Sequence, residues 1–586
     1  MTDQGCLNLR WALALFDGLV EGGMRHLVLS PGSRSTPLVL AAQRQPALTV
    51  TPILDERSAA FFALGVARAS GRPVGLVCTS GSALAHWFPA VIEASESGIP
   101  LVLLSADRPP ELRGWGANQT IDQTRFFGVH VRAFHDPGTP EDSPGAVKLM
   151  RALGRRAAVE SQGDWPGPVH LNLPFREPLV PGPDCRIEAA PIQTESAVSD
   201  TMGTRRPARP AGWGLPQTPP RSDWMSARIS HGSGRGVICC GPGDWTADGA
   251  EALWHLAMRL EVPVLCDPLS GLRFGCASEH RLTRYDSLLR HPATAAALKP
   301  DWVLRFGRAP VSKTLLGWLA DVPTILVDAG RGWSDPNHDV RLKIDADPAA
   351  FCVWLADADP EPGTPDPDWF ARWLQAERRL ERFAAEYLDQ APWCEGHLIR
   401  DLIAQVPEGE GLLCANSMPI RQLDTWSGSR VRPLRVFGHR GASGIDGQTS
   451  TLAGLNAGGL PTTGLLGDLS FLHDLSGLPA LRTLSRPCIV INNGGGRIFD
   501  YLPQHGLPGF ETLWRTPVAV DLRALAGTFG LAHRSVSDRD GFRQALTESM
   551  QTDRPSGLIE VVIDADLSRQ IHRDFWRAVS VRRDDA

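Results

Sequence analysis

Residues 463–496 read TGLLGDLSFLHDLSGLPALRTLSRPCIVINNGGG. The run Thr463-Gly464-Leu465-Leu466 is short, apolar and closed by Gly467-Asp468, which predicts a buried strand ending in a turn. Leu469, Phe471, Leu472, Leu475, Leu478 and Leu481 follow with the pattern of an apolar helix. Cys488-Ile489-Val490-Ile491 then predicts a second strand, ending at Asn492-Asn493-Gly494-Gly495-Gly496. This is a βαβ unit whose two strands deliver Asp468 and Asn493 to one carboxyl edge, where open α/β sheets bind their ligands. A carboxylate, an amide oxygen and a backbone carbonyl are hard donors that suit Mg2+ held together with phosphates. The glycines let the backbone approach a diphosphate closely. Read alone, the same residues also fit a helix N-cap at Asp468 and a turn at the asparagine pair.

The alternation extends outward from this unit. His26–Ser30, Val50–Leu54, Val74–Cys78 and Pro100–Ser105 read as strands, and Ser58–Ala69 as a helix, so the fold class is α/β with parallel sheets. Residues 181–235 turn to Pro, Arg, Gly, Ser and Thr, the composition of a linker. Periodicity returns at Val237–Gly241, with strands near Trp302–Phe306 and Thr324–Val327. A Pro-rich seam at 359–368 leads into a charged helix, Trp369–Leu388. The expected organisation is a domain at 1–185, a linker at 186–235, a central α/β domain at 236–358, a linker and helix at 359–394 and a last domain at 395–586. The first and last domains read as distant copies of one fold flanking a third.

Composition narrows the classes. Hydrophobic residues make up 42% and charged residues 21% of 586, an ordinary globular balance. A net charge of −6 without a basic block gives no support to a nucleic-acid partner. No uncharged apolar run reaches the length of a membrane span, and residues 1–23 lack a signal-peptide layout. The 11 cysteines show neither zinc spacing nor a disulfide framework, which implies a reducing, cytoplasmic setting. Only four of the 59 basic residues are lysines: Lys148, Lys299, Lys313 and Lys343. A coding bias toward arginine makes any single Arg weak evidence for an anion site, and a lysine correspondingly stronger.

Glu56 stands at a strand-to-helix junction. It fits a first-turn acid favoured by the helix dipole, and equally a carboxylate holding a proton for a heterocycle. Together with Gly467-Asp468 and Asn492-Asn493, it resembles the pattern of the thiamine diphosphate enzymes. Ser30-Pro31-Gly32-Ser33-Arg34-Ser35-Thr36-Pro37, Asp55-Glu56-Arg57-Ser58-Ala59 and Ser105-Ala106-Asp107-Arg108-Pro109-Pro110-Glu111-Leu112 narrow the resemblance further. Gly116-Ala117-Asn118-Gln119, Asn416-Ser417 with Arg421, Arg440-Gly441-Ala442-Ser443-Gly444-Ile445-Asp446-Gly447 and Arg497-Ile498-Phe499 complete the set. These stretches resemble the menaquinone-pathway synthases that make 2-succinyl-5-enolpyruvyl-6-hydroxy-3-cyclohexene-1-carboxylate.

The resemblance implies three α/β domains of the thiamine diphosphate-binding fold. It implies 2-oxoglutarate and isochorismate as substrates, and thiamine diphosphate with Mg2+ (or Mn2+) as cofactors. It also implies a homodimer, or dimer of dimers, with shared active sites. Glu56 would hydrogen-bond the pyrimidine ring, Ile445 would prop the cofactor in its bent shape, and Gly467, Leu469 and Ser470 would line it. Asp468, Asn493 and the Gly495 carbonyl would ligate the metal. Arg34, Arg108, Arg421 and Arg440 match the family's substrate arginines, whose forks bind carboxylates bidentately. Ser33, Asn118, Gln119, Lys313, Ser417, Ile498 and Phe499 match its other substrate contacts. Two positions depart from the pattern: Leu469 replaces a glycine of the general thiamine motif, and Thr314 stands where the family has an arginine after Lys313. The nearest alternative is another carboligase, resembling acetohydroxyacid synthase, whose monocarboxylate substrates would not need the arginine set. Gly241-Pro242-Gly243 suggests a nucleotide-binding turn, but it lacks the third glycine of that motif.

Overall fold

The computed structural model describes residues 3–187, 234–330, 332–357, 366–551 and 555–581. Three six-stranded sheets organise them. The first comprises β1 (His26–Leu29), β2 (Thr49–Pro52), β3 (Val74–Cys78), β4 (Leu101–Asp107), β5 (Ala133–His135) and β6 (Val169–Pro174), in the order β2-β1-β3-β4-β6-β5. The second comprises β7 (Gly236–Cys240), β8 (Val264–Cys266), β9 (Arg281–Leu282), β10 (Trp302–Phe306), β11 (Thr324–Val327) and β12 (Val340–Ile344), in the order β12-β11-β10-β7-β8-β9. The third comprises β13 (Gly411–Cys414), β14 (Arg435–Phe437), β15 (Thr462–Gly467), β16 (Cys488–Asn492), β17 (His533–Val536) and β18 (Leu558–Val562), in the order β14-β13-β15-β16-β18-β17. The strands pair in parallel, and the near-continuous apolar runs of the central strands are buried on both faces.

Numbered within its own sheet, the third has the same strand order as the first, 2-1-3-4-6-5. The sequence alone suggested that these were copies of one fold, and their topology is identical. The second sheet runs 3-2-1-4-5-6, the order of dinucleotide-binding domains. Its switch point is filled by the chain itself. A Cβ on Gly241 would lie 1.7 Å from the Arg308 carbonyl oxygen, and one on Gly307 would lie 2.8 Å from that of Pro242. The glycines of this turn therefore admit backbone.

The described chain forms two compact units, one of residues 1–203, 439–462 and 470–484, the other of 204–438, 463–469 and 485–586. Inside the first, glycines let helices cross closely. Gly65 on the helix Glu56–Ser70 and Gly454 on the helix Gln448–Ala457 would each drive a Cβ to within 2.3 Å of the other helix's backbone. Inside the second, the charged helix Trp369–Gln390 buries Trp369, Trp373, Leu380, Ala384 and Leu388 on one stripe, as helical spacing requires. Most of the expected linker (188–233) and of the Pro-rich seam (358–365) lies outside the described residues.

Two expectations need correction. The apolar helix after Gly467 is α-helical only over Asp468–His473, and Leu475–Thr483 continues as a 3-10 helix containing Pro479. Asp474 sits at the break, buried, its carboxylate accepting from Thr449 Oγ1 at 2.6 Å and from the Ser450 amide at 2.7 Å. Secondly, a disulfide joins Cys6 to Cys185 across 179 residues, a separation that no local spacing signals.

Candidate active site

The carboxyl edge of the third sheet assembles the acidic half. β15 and β16 pair with Gly467 opposite Ile491, so Asp468 and Asn493 emerge side by side. Asp468 Oδ2 accepts from the Gly495 amide at 2.8 Å, and Oδ1 from the Leu469 amide at 2.7 Å. Burial raises the Asp468 carboxyl above its ordinary value, opposed by the N–H groups of Gly495, Leu469, Gly494 and Asn493. Gly494 and Gly495 adopt φ values of +77° and +112°, and a Cβ on Gly495 would lie 2.4 Å from the Arg515 carbonyl oxygen. Only glycine makes this turn. A Cβ on Gly467 would meet nothing within 4 Å, so the strand end opens onto free space. The Asn493 side chain hydrogen-bonds buried Glu395, whose carboxyl is raised by burial and which also accepts from Ser568 Oγ.

Among the described residues, no group of three His, Cys, Asp or Glu side chains could hold a metal by itself. One carboxylate, one amide oxygen and one carbonyl suit a hard cation when phosphate oxygens complete its shell. The donor set, the glycine cradle and the open strand end therefore fit a metal–diphosphate group. In the same unit, Ile498 and Phe499 lie half-buried on the short helix that follows the turn. Ser417 precedes the helix Met418–Trp426 at φ +72°, ψ −127°, a strained backbone for a residue with a side chain. Arg421 Nη1 donates to the Ser417 carbonyl at 2.6 Å, so these two candidates are brought together. Lys313 is exposed at the start of the helix Lys313–Leu319, and no described contact joins it to the others.

The other unit carries the remaining candidates. Asp55 caps the helix Glu56–Ser70, accepting from the amides of Arg57 at 2.8 Å and Ser58 at 3.2 Å. Capping is thus done by the neighbour, and the half-buried Glu56 carboxylate has no hydrogen-bond partner among the described residues. It lies near Cys78 at the end of β3, whose thiol is pushed up by burial and then by the Glu56 charge. Arg34 is buried, donating to the Phe175 carbonyl at 2.9 Å and to the exposed Glu177 at 2.8 Å. Burial, then the nearby Arg34 guanidinium, lowers the Arg108 pKa, which sets two cations close together. Ser33, Asn118 and Gln119 are exposed on the adjoining loops.

The loop 440–446 is tied down by Glu93, a buried carboxylate missed in the sequence. It accepts from the Gly441 amide at 3.0 Å and the Ala442 amide at 2.7 Å. Arg440 is half-buried at the start of this loop, and Ile445 is 37% exposed. Ser470 is buried on the helix Asp468–His473, while Leu469 is half-buried. Sequence reading also missed Ser80, which hydrogen-bonds the loop bearing Asn118 and Gln119, and Gln123, which accepts from the Gly81 amide. The signal available for Ser80 was the Thr79-Ser80-Gly81 turn at the end of a predicted strand.

Comparison with known proteins agrees with this chemistry. Residues 10–126 match the model of the thiamine pyrophosphate enzyme N-terminal TPP-binding domain. Residues 214–414 match that of the middle domain of thiamine pyrophosphate enzymes. The chain is 40% identical over 579 residues to the 2-succinyl-5-enolpyruvyl-6-hydroxy-3-cyclohexene-1-carboxylate synthase of Geobacillus kaustophilus, with 97% of each chain covered. It is 42% identical over 582 residues to the synthase of that name from Chloroflexus aurantiacus, covering 97% of this chain and 96% of the relative. It is 41% identical over 567 residues to that of Dechloromonas aromatica, covering 96% and 99%.

Proposed function

Because the chain belongs to the family of 2-succinyl-5-enolpyruvyl-6-hydroxy-3-cyclohexene-1-carboxylate synthases, we propose that it decarboxylates 2-oxoglutarate and adds the remaining succinyl unit to isochorismate, in menaquinone biosynthesis. Thiamine diphosphate, when bound, supplies the carbanion stabilisation that decarboxylation needs. The observation that carries the reading is the Asp468 carboxylate facing the Asn493–Gly495 turn at the open carboxyl edge of β15 and β16.

In this reading Asp468, the Asn493 amide oxygen and the Gly495 carbonyl hold Mg2+ (or Mn2+) and, through it, the diphosphate. Gly467, Leu469 and Ser470 would line the same group, and Ile445 would pack against it. Glu56 holds a proton at a ring nitrogen of the pyrimidine, a task for which a carboxylate relieved of capping is suited. Arg34, Arg108, Arg421, Arg440 and Lys313 neutralise the carboxylates of two dianionic substrates, because bidentate guanidinium forks fix both charge and orientation. Ser33, Asn118, Gln119 and Ser417 add polar contacts, while Ile498 and Phe499 add apolar ones. The protein works as a cytoplasmic homodimer, or dimer of dimers, with active sites shared between chains. No described helix is long and apolar enough to cross a membrane.

The test mixes the protein with thiamine diphosphate, Mg2+, 2-oxoglutarate and isochorismate, and follows isochorismate by absorbance. Loss of isochorismate should require all four additions. Turnover that survives omission of the cofactor, or that proceeds equally with pyruvate, would contradict the reading.

A further inference from the structure

We propose that Ser80 is a positioning residue for substrate recognition, its hydroxyl locking Arg108 and Gln119 into one geometry. This deepens the proposed function and rests on it. Ser80 is fully buried just beyond the carboxyl end of β3. Its Oγ accepts from Arg108 Nη1 at 2.7 Å and donates to the Gln119 carbonyl at 3.1 Å. A hydroxyl has one proton to give, and here that proton goes to the loop while a lone pair takes the guanidinium. The Gln119 side chain answers by donating to the Ser80 carbonyl at 2.9 Å. These bonds hold Gln119 at φ +55°, a left-handed conformation that a residue with a side chain enters only under constraint.

The neighbours of Ser80 serve the same arrangement. Gly81 stands at φ +86°, and a Cβ there would come within 2.8 Å of Gln119 Cγ, so the loop can close only over glycine. The Gly81 amide donates to Gln123 Oε1 at 3.0 Å, which anchors the far end of the loop. Arg108 is held at its other end as well, its amide donating to Asp107 Oδ1 at 2.7 Å.

Charge explains why the partner is a hydroxyl. Burial and then the Arg34 guanidinium lower the Arg108 pKa, opposed by Glu177 and Asp107, so the two guanidiniums lie close enough to repel. A carboxylate at position 80 would hold Arg108 but cancel its charge. A neutral acceptor fixes the guanidinium and leaves its positive charge for a substrate carboxylate.

Ser80→Ala should raise KM for the dicarboxylate that meets Arg108 roughly tenfold, in keeping with loss of one hydrogen bond to a charged group. Its kcat should fall no more than about threefold, and its melting temperature and thiamine diphosphate half-saturation should match the wild type. Ser80→Thr, which keeps the hydroxyl, should restore KM, whereas Ser80→Cys should not. In an Arg108→Ala background the Ser80→Ala change should add nothing, because the two act as one unit. Unchanged KM in Ser80→Ala and Ser80→Cys, or a full additional penalty in the double variant, would overturn the role while leaving the proposed function standing. A wild-type protein that consumes neither substrate would remove the proposed function, and this role with it.

Discussion

At the scale of single residues, the proposed chemistry depends on two carboxylates, Glu56 and Asp468. Asp55 caps the helix Glu56–Ser70, which leaves the Glu56 carboxylate without a hydrogen-bond partner among the described residues. Glu56→Gln preserves the side chain's size and removes the charge. It should leave thiamine diphosphate binding near the wild-type level and lower kcat by about a hundredfold or more, the usual reach of a proton-handling group; steady-state kinetics beside a cofactor titration separates the two. Asp468 differs, because its oxygens face the turn that would hold the metal. Asp468→Ala should abolish Mg2+-dependent cofactor binding, read as loss of saturation in the same titration. Both carboxylates were legible in the sequence because each stands at the end of an apolar run. The roles of Ser80, Glu93 and Glu395 were not, since they depend on partners 28 to 349 residues away in the chain.

At the scale of elements, strand ends explain most of the candidate set. β3, β4, β15 and β16 each finish at or beside a named residue, and runs of four to six residues announced all four. The helix after Asp468 was harder to read, because leucines spaced for one continuous helix also satisfy an α-turn followed by a 3-10 stretch. Buried Asp474 and Pro479 decide the break there. The turn at Asn493–Gly495 can be tested as a unit. Gly495→Ala forces a Cβ against the Arg515 carbonyl at a backbone angle suited to glycine. It should cost about 1–3 kcal/mol of stability and raise the Mg2+ concentration needed for half-saturation, as checked by urea midpoints and a metal titration. A variant with both unchanged would show that the turn neither needs its glycine nor positions a ligand.

At the scale of the whole molecule, stability should fall on acidification through two buried histidines, one in each compact unit. Burial depresses the pKa of His170 and of His572 to about 3, from an ordinary value near 6.5. Each ring is therefore neutral in the folded protein and protonates first in the unfolded chain. Their stabilising contribution is complete above about pH 6.5 and is lost as pH falls toward 3, at up to roughly 1.4 kcal/mol per pH unit for each. Thermal midpoints measured from pH 7 to pH 4 should decline, and His572→Phe should decline less steeply; equal slopes would refute the assignment. The parallel α/β class was readable from alternating strand and helix patterns, because parallel strands are buried on both faces and so appear as apolar runs. The Cys6–Cys185 pairing was not readable, because its partners lie 179 residues apart. The central claim is a decarboxylation coupled to carbon–carbon bond formation, and the fate of labelled carbon tests it most directly. With 2-oxoglutarate labelled at C1, the account predicts that all label leaves as CO2, one for each isochorismate consumed; with label at C2, all of it should appear in the product. Retention of C1 label in the product, or CO2 release without isochorismate loss, would contradict it.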